Sequence, residues 1–441
     1  MFYQVSTAKR HSNEAKSLIL ISKIQKKLSN QFIRNIGWLG GGEFVSRLFR
    51  ICLVVVIARV LTPHDYALAA IILTVKELAL VFTFSGGIGG KLVQAKEQDV
   101  EVLSTTAYWL NWILCGLLFV LQCILSVPIS WFYGEPQLVF PICAIALSYL
   151  SIPVAAVQIS LLDRENKLKI VALISTLQVI LSNILTLCFA LLGMGFWAII
   201  LPSVFVGPPV LIYLAYRNHP WRPKGSFTLH RWREIAGFSQ NVLGSQFLDK
   251  LRANLDYLLV GKLLGVEALG LYFFAFNSGL GISLSVIEKL SWAQFPYICA
   301  AQSDFNEFRK RYFSSLKTMS LIVIPLVLLQ SSLAPLYIPI IFGKQWIETI
   351  PVVVLICLSA IPRLYGYAAS RLLYAIDRTD IDLKWNLLFT LVFAIALLFS
   401  IQWGLVAVAA AVLISHVVGL SIFVVWINKF VFGSKQFRAS L

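Results

Sequence analysis

The chain has 441 residues, of which 58% are hydrophobic and only 13% are charged, and its formal net charge is +16. This composition excludes an ordinary soluble globular domain. The apolar segments are each about 20 residues long and lack the alternation of outer-membrane strands, so we predict an all-α, polytopic membrane protein. The seven cysteines are scattered without metal-ligand spacing, so neither a metal site nor a disulfide framework is expected.

The first apolar segment follows a basic N-terminal region, residues 1–35, which is too long for an ordinary signal peptide. The predicted helix from Gly37 to Arg59 is long enough to cross a bilayer although it contains charges. Glu43, Arg47 and Arg50 recur at helical spacing and therefore share one face. Because a charge at the centre of a bilayer costs at least about 2.5 kcal/mol, this face is expected to line a bundle interior or a watery cavity.

Further apolar segments follow along the chain, which gives twelve predicted spans. They lie at about 36–58, 66–86, 104–127, 138–160, 169–192, 196–216, 235–260, 267–290, 315–336, 347–372, 385–402 and 404–428. With this placement most of the 37 Lys and Arg residues fall in inner segments, whereas the predicted outer loops contain only Arg59, Lys262 and Lys344. The positive-inside rule therefore predicts that both termini are cytoplasmic.

The second half of the chain repeats the first. A shift of 203 residues aligns Arg47 with Lys250 and Arg59 with Lys262, so each half begins with a cationic helix. Because each half has an even number of spans, both enter the membrane from the same side, which predicts two parallel six-helix bundles around a central cavity. The predicted units are a cytoplasmic segment, the first bundle, a basic linker, the second bundle and a cytoplasmic tail, at 1–35, 36–216, 217–234, 235–428 and 429–441.

Three stretches resemble the recurring signatures of one family of bacterial membrane proteins. They are ARVLTPHDYALAAI at Ala58 to Ile71, LLDRENKLKIVALIS at Leu161 to Ser175 and LDYLLVGKLLGVEALGLYFFAFN at Leu255 to Asn277. Over about residues 35–430 the chain is similar to the Wzx-type polysaccharide flippases of the multidrug/oligosaccharidyl-lipid/polysaccharide (MOP) exporter superfamily. It departs from the family at Ala67, where a glycine is usual, whereas Gly270 keeps the glycine in the second half.

The resemblance implies an activity, a location and partners. A protein of this family is expected to flip polyprenyl-pyrophosphate-linked oligosaccharide from the cytoplasmic to the outer leaflet by alternating access, for lipopolysaccharide or other surface polysaccharide biosynthesis. It would be a multi-pass protein of the cell inner membrane. The implied partners are the lipid-linked oligosaccharide, membrane lipids and other polysaccharide-assembly proteins, and no nucleic acid is expected.

The predicted substrate-binding residues are the basic residues inside the spans: Arg47, Arg50, Lys250, Arg252 and Arg363. Guanidinium groups suit a diphosphate because their planar forks bind pairs of oxygen atoms and remain charged at physiological pH. Arg363 follows Pro362, where a kink in the helix is expected.

Three acids inside the spans, Glu43, Asp249 and Asp256, are candidates for coupling transport to a proton or sodium gradient. A carboxylate shielded from water can change its charge when a cationic partner leaves. The alternative is structural pairing one helical turn apart, of Glu43 with Arg47 and of Arg252 with Asp256. No cofactor, metal ion or catalytic residue is expected.

Two pairs of adjacent opposite charges also lie within predicted spans: Lys76 with Glu77, and Glu288 with Lys289. Successive helical residues point in different directions, so one member of each pair is expected to line the cavity and the other to reach an interface. Snorkelling of the side chains is the alternative explanation. His416 stands alone in the last span, which favours a satisfied polar group over a proton relay.

The sequence favours a transporter over an enzyme. No nucleotide-hydrolysis or metalloprotease motif is present. A membrane-embedded glycosyltransferase or polysaccharide polymerase is the enzyme alternative, but it would need a large outer loop with catalytic residues, and the predicted outer loops are short. A multidrug exporter of the same superfamily is the second alternative, and its cavity should be acidic.

Overall fold

The computed structural model describes residues 53–83, 88, 92, 97–165, 167–223, 227–299, 301, 304–376 and 378–433. Within these ranges the chain forms helices and turns without a strand, as predicted for an all-α protein. The predicted N-terminal segment 1–35, most of the first predicted span and the chain after residue 433 lie outside the described residues.

The first half begins with helical residues 53–60 and continues through shorter and longer helices. These are α1 (Pro63–Leu80), α2 (Val100–Tyr133), α3 (Val139–Ala146), α4 (Ile152–Arg164), α5 (Leu168–Leu191), α6 (Trp197–Phe205) and α7 (Gly207–Asn218). The start of α1 is fixed by a capping box, in which the Thr62 hydroxyl accepts from the Asp65 amide and the Asp65 carboxylate accepts from the Thr62 amide. Pro63 at the first helical position supplies the required backbone angle.

The second half follows the predicted linker 217–234 and contains longer helices. These are α8 (Trp232–Leu263), α9 (Val266–Ser278), α10 (Leu280–Cys299), α11 (Phe305–Tyr337), α12 (Ile350–Leu358), α13 (Ala360–Ala375), α14 (Thr379–Ser400) and α15 (Leu405–Gly433). α11 continues into a wider π-helical turn, Ile338–Phe342. From the second predicted span, 66–86, onward, each predicted span overlaps one or more of these helices.

The chain is a multi-pass membrane protein. In the described ranges, eight helices or helix runs are long and apolar enough to cross a membrane, and α9 with α10 makes a ninth if this bent pair is one span. The helices α1 and α8 are not among them, because charged residues such as Lys76 and Lys250 interrupt their apolar sequence. The total of twelve spans and the cytoplasmic position of the termini remain predictions.

The order of helices in the first half recurs in the second. α1 begins at Pro63 and α9 begins at Val266, which is the predicted shift of 203 residues. α2 and α11 follow with 34 and 33 residues. The break between α3 and α4 has a counterpart between α12 and α13. These equivalences support the internal repeat, while the boundaries of the two bundles remain a prediction.

The two halves approach each other most closely where α1 crosses α9. Gly270 of α9 lies against the backbone of Pro63, and a Cβ atom at Gly270 would fall 1.9 Å from the Pro63 carbonyl oxygen. Beside this crossing the rings of Phe274 and Trp346 stack with 3.9 Å between their centroids. The equivalent first-half position, Ala67, is buried but accommodates a methyl group. The close approach therefore requires glycine at position 270 and tolerates alanine at position 67.

The path of the second half bends at Gly279, between α9 and α10, where the helix directions differ by 51°. The side-chain amide of Gln330 in α11 donates to the Ser278 carbonyl at 3.0 Å and also to the Gly279 carbonyl. Carbonyl groups released by a helix break inside a membrane protein need such partners. After the bend, Leu284 and Glu288 of α10 reach the cavity described next.

Candidate functional site

A cavity of about 500 Å³ lies mainly between helices of the second half, and the last turn of α1 contributes to its wall. Within the described part of the chain, four acidic and four basic side chains line it: Glu77, Lys250, Arg252, Asp256, Glu288, Arg363, Arg371 and Asp382. Charged groups of membrane-spanning helices avoid lipid and face a bundle interior or water. The cavity is therefore the polar centre of the second half.

An ion pair crosses between the two halves at this cavity. Nζ of Lys250 in α8 lies 2.9 Å from Oε2 of Glu77 in α1, and both side chains are 48% exposed. On the same two helices the Thr74 hydroxyl donates to the side-chain carbonyl of Asn254 at 3.3 Å. Because charges in membrane-spanning helices are costly in lipid, these exposed groups are expected to face water in the cavity.

A hydrogen-bond network joins three helices on another wall of the cavity. The carboxylate of Asp382 in α14 accepts from the Ser370 hydroxyl (2.7 Å), the Tyr374 hydroxyl (3.1 Å) and the Asn386 amide (3.0 Å). The Asn386 carbonyl oxygen in turn accepts from the guanidinium of Arg252 in α8. Because the members hold one another in place, α8, α13 and α14 present a preorganised polar surface.

Asp256 of α8 is a buried acid of the cavity, with 3% of its surface exposed. Its carboxylate accepts from the Tyr272 hydroxyl of α9 at 2.8 Å and from the Tyr257 amide at 3.0 Å. Among the described residues these two contacts hold the carboxylate, and the pairing with Arg252 considered from the sequence remains an alternative. A buried carboxylate that retains hydrogen-bond donors can stay in place in either protonation state.

Arg363 brings an unsatisfied donor to the cavity. Its Nε atom is buried and has no hydrogen-bond partner within the ranges that the structure describes. The helix is interrupted at Ser359, between α12 and α13, as predicted from Pro362, which cannot donate to the carbonyl one turn earlier. The interruption puts Arg363 in the first turns of α13, at the cavity wall. A buried guanidinium N–H without a partner is a group that an anionic ligand would satisfy.

Three of the five cations predicted to bind substrate lie together. Lys250, Arg252 and Arg363 all line the cavity, although they come from two helices far apart in the sequence. Arg47 and Arg50 lie outside the described residues. The structure thus provides one location for three of these residues, while the binding role of all five remains a prediction.

The predicted ion-coupling acids are only partly within the described chain. Asp256 lines the cavity, Asp249 belongs to α8 but its side chain is outside the described part, and Glu43 is outside it altogether. From the two adjacent charge pairs, the acidic members Glu77 and Glu288 line the cavity, as expected for one member of each pair. Whether any of these acids couples transport to an ion gradient remains a prediction.

Arg371 and Asp382 are not among the site residues predicted from the sequence. The predicted residues are five bases and three acids, whereas acids and bases are equal in number among the described lining residues. The count differs because α14, which packs against the charged helix α8, brings Asp382 to the cavity, and α13 brings Arg371. A signal is present in the sequence, since Ser370 with Tyr374, and Asp382 with Asn386, are polar residues one turn apart in helices that are otherwise largely apolar.

His416 of α15 is buried against aromatic rings at the cavity wall. Its Nδ1 lies 2.7 Å from the Val412 carbonyl oxygen, and its ring meets the edges of Phe389 and Phe393 with centroids 5.3 and 5.4 Å apart. This is the satisfied polar group that the sequence favours over a proton relay.

Comparisons with known proteins show a family and several relatives of this chain. A family profile described as "Polysaccharide biosynthesis protein" matches residues 56–351. The chain is 25% identical over 323 residues to the "Teichuronic acid biosynthesis protein TuaB" of Bacillus subtilis (strain 168), covering 72% of this chain and 66% of that protein. It is 26% identical over 378 residues to the "Lipopolysaccharide biosynthesis protein WzxC" of Escherichia coli (strain K12), covering 84% of this chain and 75% of that protein. The chain thus spans about two thirds to three quarters of the length of these relatives.

Two solved structures share the arrangement of helices. "Lipid II flippase MurJ, inward closed conformation" matches with a TM-score of 0.72 at 16% identity, over 88% of this chain and 87% of that chain. "Inward-facing conformation of a multidrug resistance MATE family transporter of the MOP superfamily" also matches with a TM-score of 0.72, at 14% identity, over 89% of this chain and 96% of that chain. At these identities the likeness establishes only that this chain shares the fold of these two solved proteins.

Proposed function

The chain belongs to the polysaccharide biosynthesis protein family, and on that premise we propose that it transports polyprenyl-pyrophosphate-linked oligosaccharide from the cytoplasmic to the outer leaflet. Transport would proceed by alternating access of one cavity, for the synthesis of a surface polysaccharide. The protein would act in the cell inner membrane with both termini in the cytoplasm. The names of the relatives and the fold of the structural neighbours support this assignment.

The observation that carries the proposal is the unsatisfied Nε of Arg363 in a cavity that also contains Arg252 and Arg371. A volume of about 500 Å³ falls within the usual range for small-ligand sites. The guanidinium forks would bind the oxygen atoms of the diphosphate. The hydroxyl and amide groups around Asp382 offer partners to sugar hydroxyls.

A wet, polar cavity answers the physical problem of this substrate. Each sugar hydroxyl without a partner would cost several kcal/mol in hydrocarbon, and the charged diphosphate would cost far more. A cavity between helices lets the head group cross in a polar environment while the isoprenoid chain remains in lipid. Outward movement of an anion also follows the inside-negative membrane potential, which contributes about 2.3 kcal/mol per charge per 100 mV.

Coupling to a proton or sodium gradient is the second part of the proposal. Asp256 is its best-described candidate, because it is buried in the cavity and shares that cavity with Arg363. Binding of a proton or sodium ion would neutralise the Asp256 carboxylate. Release of that ion would restore the negative charge of the carboxylate, which faces the cations of the cavity. Glu43 and Asp249 remain candidates for the same role.

The two alternative functions make different demands on the cavity. A multidrug exporter for cations would gain no net electrostatic attraction from this wall, because its four acidic side chains are balanced by four basic ones. A glycosyltransferase or polymerase would change the sugar chain, so the length of the oligosaccharide should be measured before and after its incubation with the purified protein in liposomes. A changed chain length would favour the enzyme, and export of a cationic dye would favour the multidrug exporter.

The test is transport in liposomes that contain the purified protein and a fluorescent polyprenyl-pyrophosphate oligosaccharide. We expect Arg363→Gln to slow the appearance of label in the opposite leaflet at least about tenfold, because a charge-assisted bond is lost. Arg363→Lys should retain part of the rate, since lysine keeps the charge but loses the fork. Arg309→Gln, an exposed change on α11, is the matched control. Equal rates for the two Gln variants, both folded, would contradict the proposal.

A further inference from the structure

Two basic residues related by the internal repeat make reciprocal contacts between the halves. Arg59 lies in the last turn of the first described helix, residues 53–60, and its guanidinium donates to the carbonyls of Ile340 (2.7 Å) and Ile341 (2.8 Å) in the second half. Lys262, 203 residues later at the end of α8, donates to the Phe132 carbonyl of the first half at 2.6 Å. Each half therefore extends one cation to the other half.

The acceptors of these bonds are equivalent as well. Ile340 and Ile341 lie in the π-helical turn that ends α11, and Phe132 lies in the last turn of α2. The last carbonyls of a helix have no partner inside the helix and form the negative end of its dipole. A cation placed there compensates both the unpaired oxygen atoms and the dipole. Lys262 also lies 4.4 Å from the centroid of the Phe132 ring.

A small residue precedes each cation and contacts an aromatic residue of the opposite half. The Ala58 carbonyl accepts from the Trp346 indole N–H at 2.8 Å. At the equivalent Gly261, the Tyr133 ring lies so close that a Cβ atom would fall 2.8 Å from it. The reciprocal arrangement thus extends beyond a single pair of side chains.

These contacts join the two halves at the end of the molecule that the charge distribution predicts to face outward. The helix ends at Arg59, Phe132, Lys262 and Ile341 meet there, next to the crossing of α1 and α9. The cavity lies toward the opposite ends of α1 and α8, where Glu77 and Lys250 pair. Arg59 and Lys262 are exposed side chains, so their bonds can be exchanged for water when the halves separate.

We propose that Arg59 and Lys262 are the two latches of the outer gate, which hold the halves together at the outer end while the cavity is open to the cytoplasmic side. Release of both latches accompanies the outward-opening step. This proposal rests on the proposed transport function only where it names the outward-opening step. Whether Arg59 and Lys262 hold the outer end closed can be measured without substrate.

The test measures the access of a membrane-impermeant maleimide to the cavity from the outer face. Ala253→Cys places a thiol on the cavity wall, and its labelling is measured on its own peptide by mass spectrometry, so native cysteines do not interfere. We expect Arg59→Gln and Lys262→Gln each to raise the labelling rate several-fold and the double variant to raise it further. The control is Lys344→Gln, the third basic residue of the predicted outer loops, which is exposed and should leave the rate unchanged.

A second measurement separates the gate from the stability of the fold. Cysteines at Arg59 and Ile341, joined by a short bismaleimide, should abolish transport and suppress labelling at Ala253→Cys, and cleavage of a reducible version of the linker should restore both. The proposal is overturned if the folded double Gln variant labels at the parental rate, or if the cross-linked protein is labelled and transports like the uncross-linked one. Failure of oligosaccharide transport in every variant and in the parent protein would contradict the proposed substrate. The labelling rates at Ala253→Cys would still show whether Arg59 and Lys262 hold the outer end closed.

Discussion

Lys250 and Glu77 form an ion pair of 2.9 Å that joins a helix of each half at the cavity. Because both side chains are about half exposed, the pair contributes little to the stability of the fold, about 0 to 1 kcal/mol. Its position between the halves suits a contact that forms and breaks during the transport cycle. Lys250 is therefore paired with an acid on α1 in this structure, and its role in substrate binding remains a prediction.

Exchange of the two charges tests this relationship. Glu77→Gln and Lys250→Gln should each lower transport several-fold, because one charge is left uncompensated at the cavity, while the amount of folded protein stays the same. The exchanged variant, Glu77→Lys with Lys250→Glu, should recover most of the activity. Transport in liposomes and the yield of monodisperse protein are the measurements. If the exchanged variant is as inactive as the single variants, Lys250 acts on the substrate directly.

Substitution of Asp256 tests ion coupling. Asp256→Asn keeps an oxygen atom that can accept from the Tyr272 hydroxyl, so the fold should be retained. We expect loss of the stimulation of transport by a proton or sodium gradient, while exchange between leaflets without a gradient continues. Tyr272→Phe, which removes the donor but leaves the carboxylate, should retain gradient dependence. Undiminished gradient stimulation in Asp256→Asn would move coupling to Glu43 or Asp249, or exclude it.

A methyl group at Gly270 tests the crossing of α1 and α9. Gly270→Ala would push a Cβ atom against the Pro63 backbone, and strain of this kind typically costs about 1 to 3 kcal/mol. The matched control is Gly281→Ala in α10, where the nearest atom to the added Cβ is an ordinary 3.7 Å away. Thermal unfolding of the purified variants should show a lower Tm for Gly270→Ala alone. Equal Tm values for both would mean that the crossing yields without cost.

The predicted orientation of the chain is tested by reporters fused at its two charge-rich boundaries. Reporters after Arg217 and after Leu441 should both register as cytoplasmic, because the positive-inside rule and two even sets of spans require it. A reporter inserted beside Lys344 should register on the outer side. An outer signal from either of the first two fusions would contradict the arrangement of six plus six spans.

The course of the helices could be predicted well from the sequence because span length and hydropathy are local properties. The internal repeat could be predicted because two cations, Arg59 and Lys262, stand in register. The break before Arg363 also follows locally, from the missing N–H of Pro362.

The composition of the cavity was harder to predict, because it depends on which helices meet. Arg252 bonds to Asn386, and Asn386 lies 134 residues further along the chain. Asp382 becomes part of the site because α14 packs against α8. The charges predicted on the leading helix of the second half, Lys250, Arg252 and Asp256, therefore line the cavity. Arg371 and Asp382 come from other helices and could not be found from that helix alone.

The reciprocal contacts of Arg59 and Lys262 have the form of an isologous interface, in which two copies of one unit contact each other across a two-fold axis. In a dimer of identical six-helix units every substitution at this contact would act twice. In one continuous chain it acts once, and the two sides have diverged, since Arg59 makes two bonds to helix carbonyls whereas Lys262 makes one bond and a ring contact. In a single chain each side of the contact can therefore change without the other, and the lysine side, which has fewer hydrogen bonds, is the side at which the halves are expected to separate first.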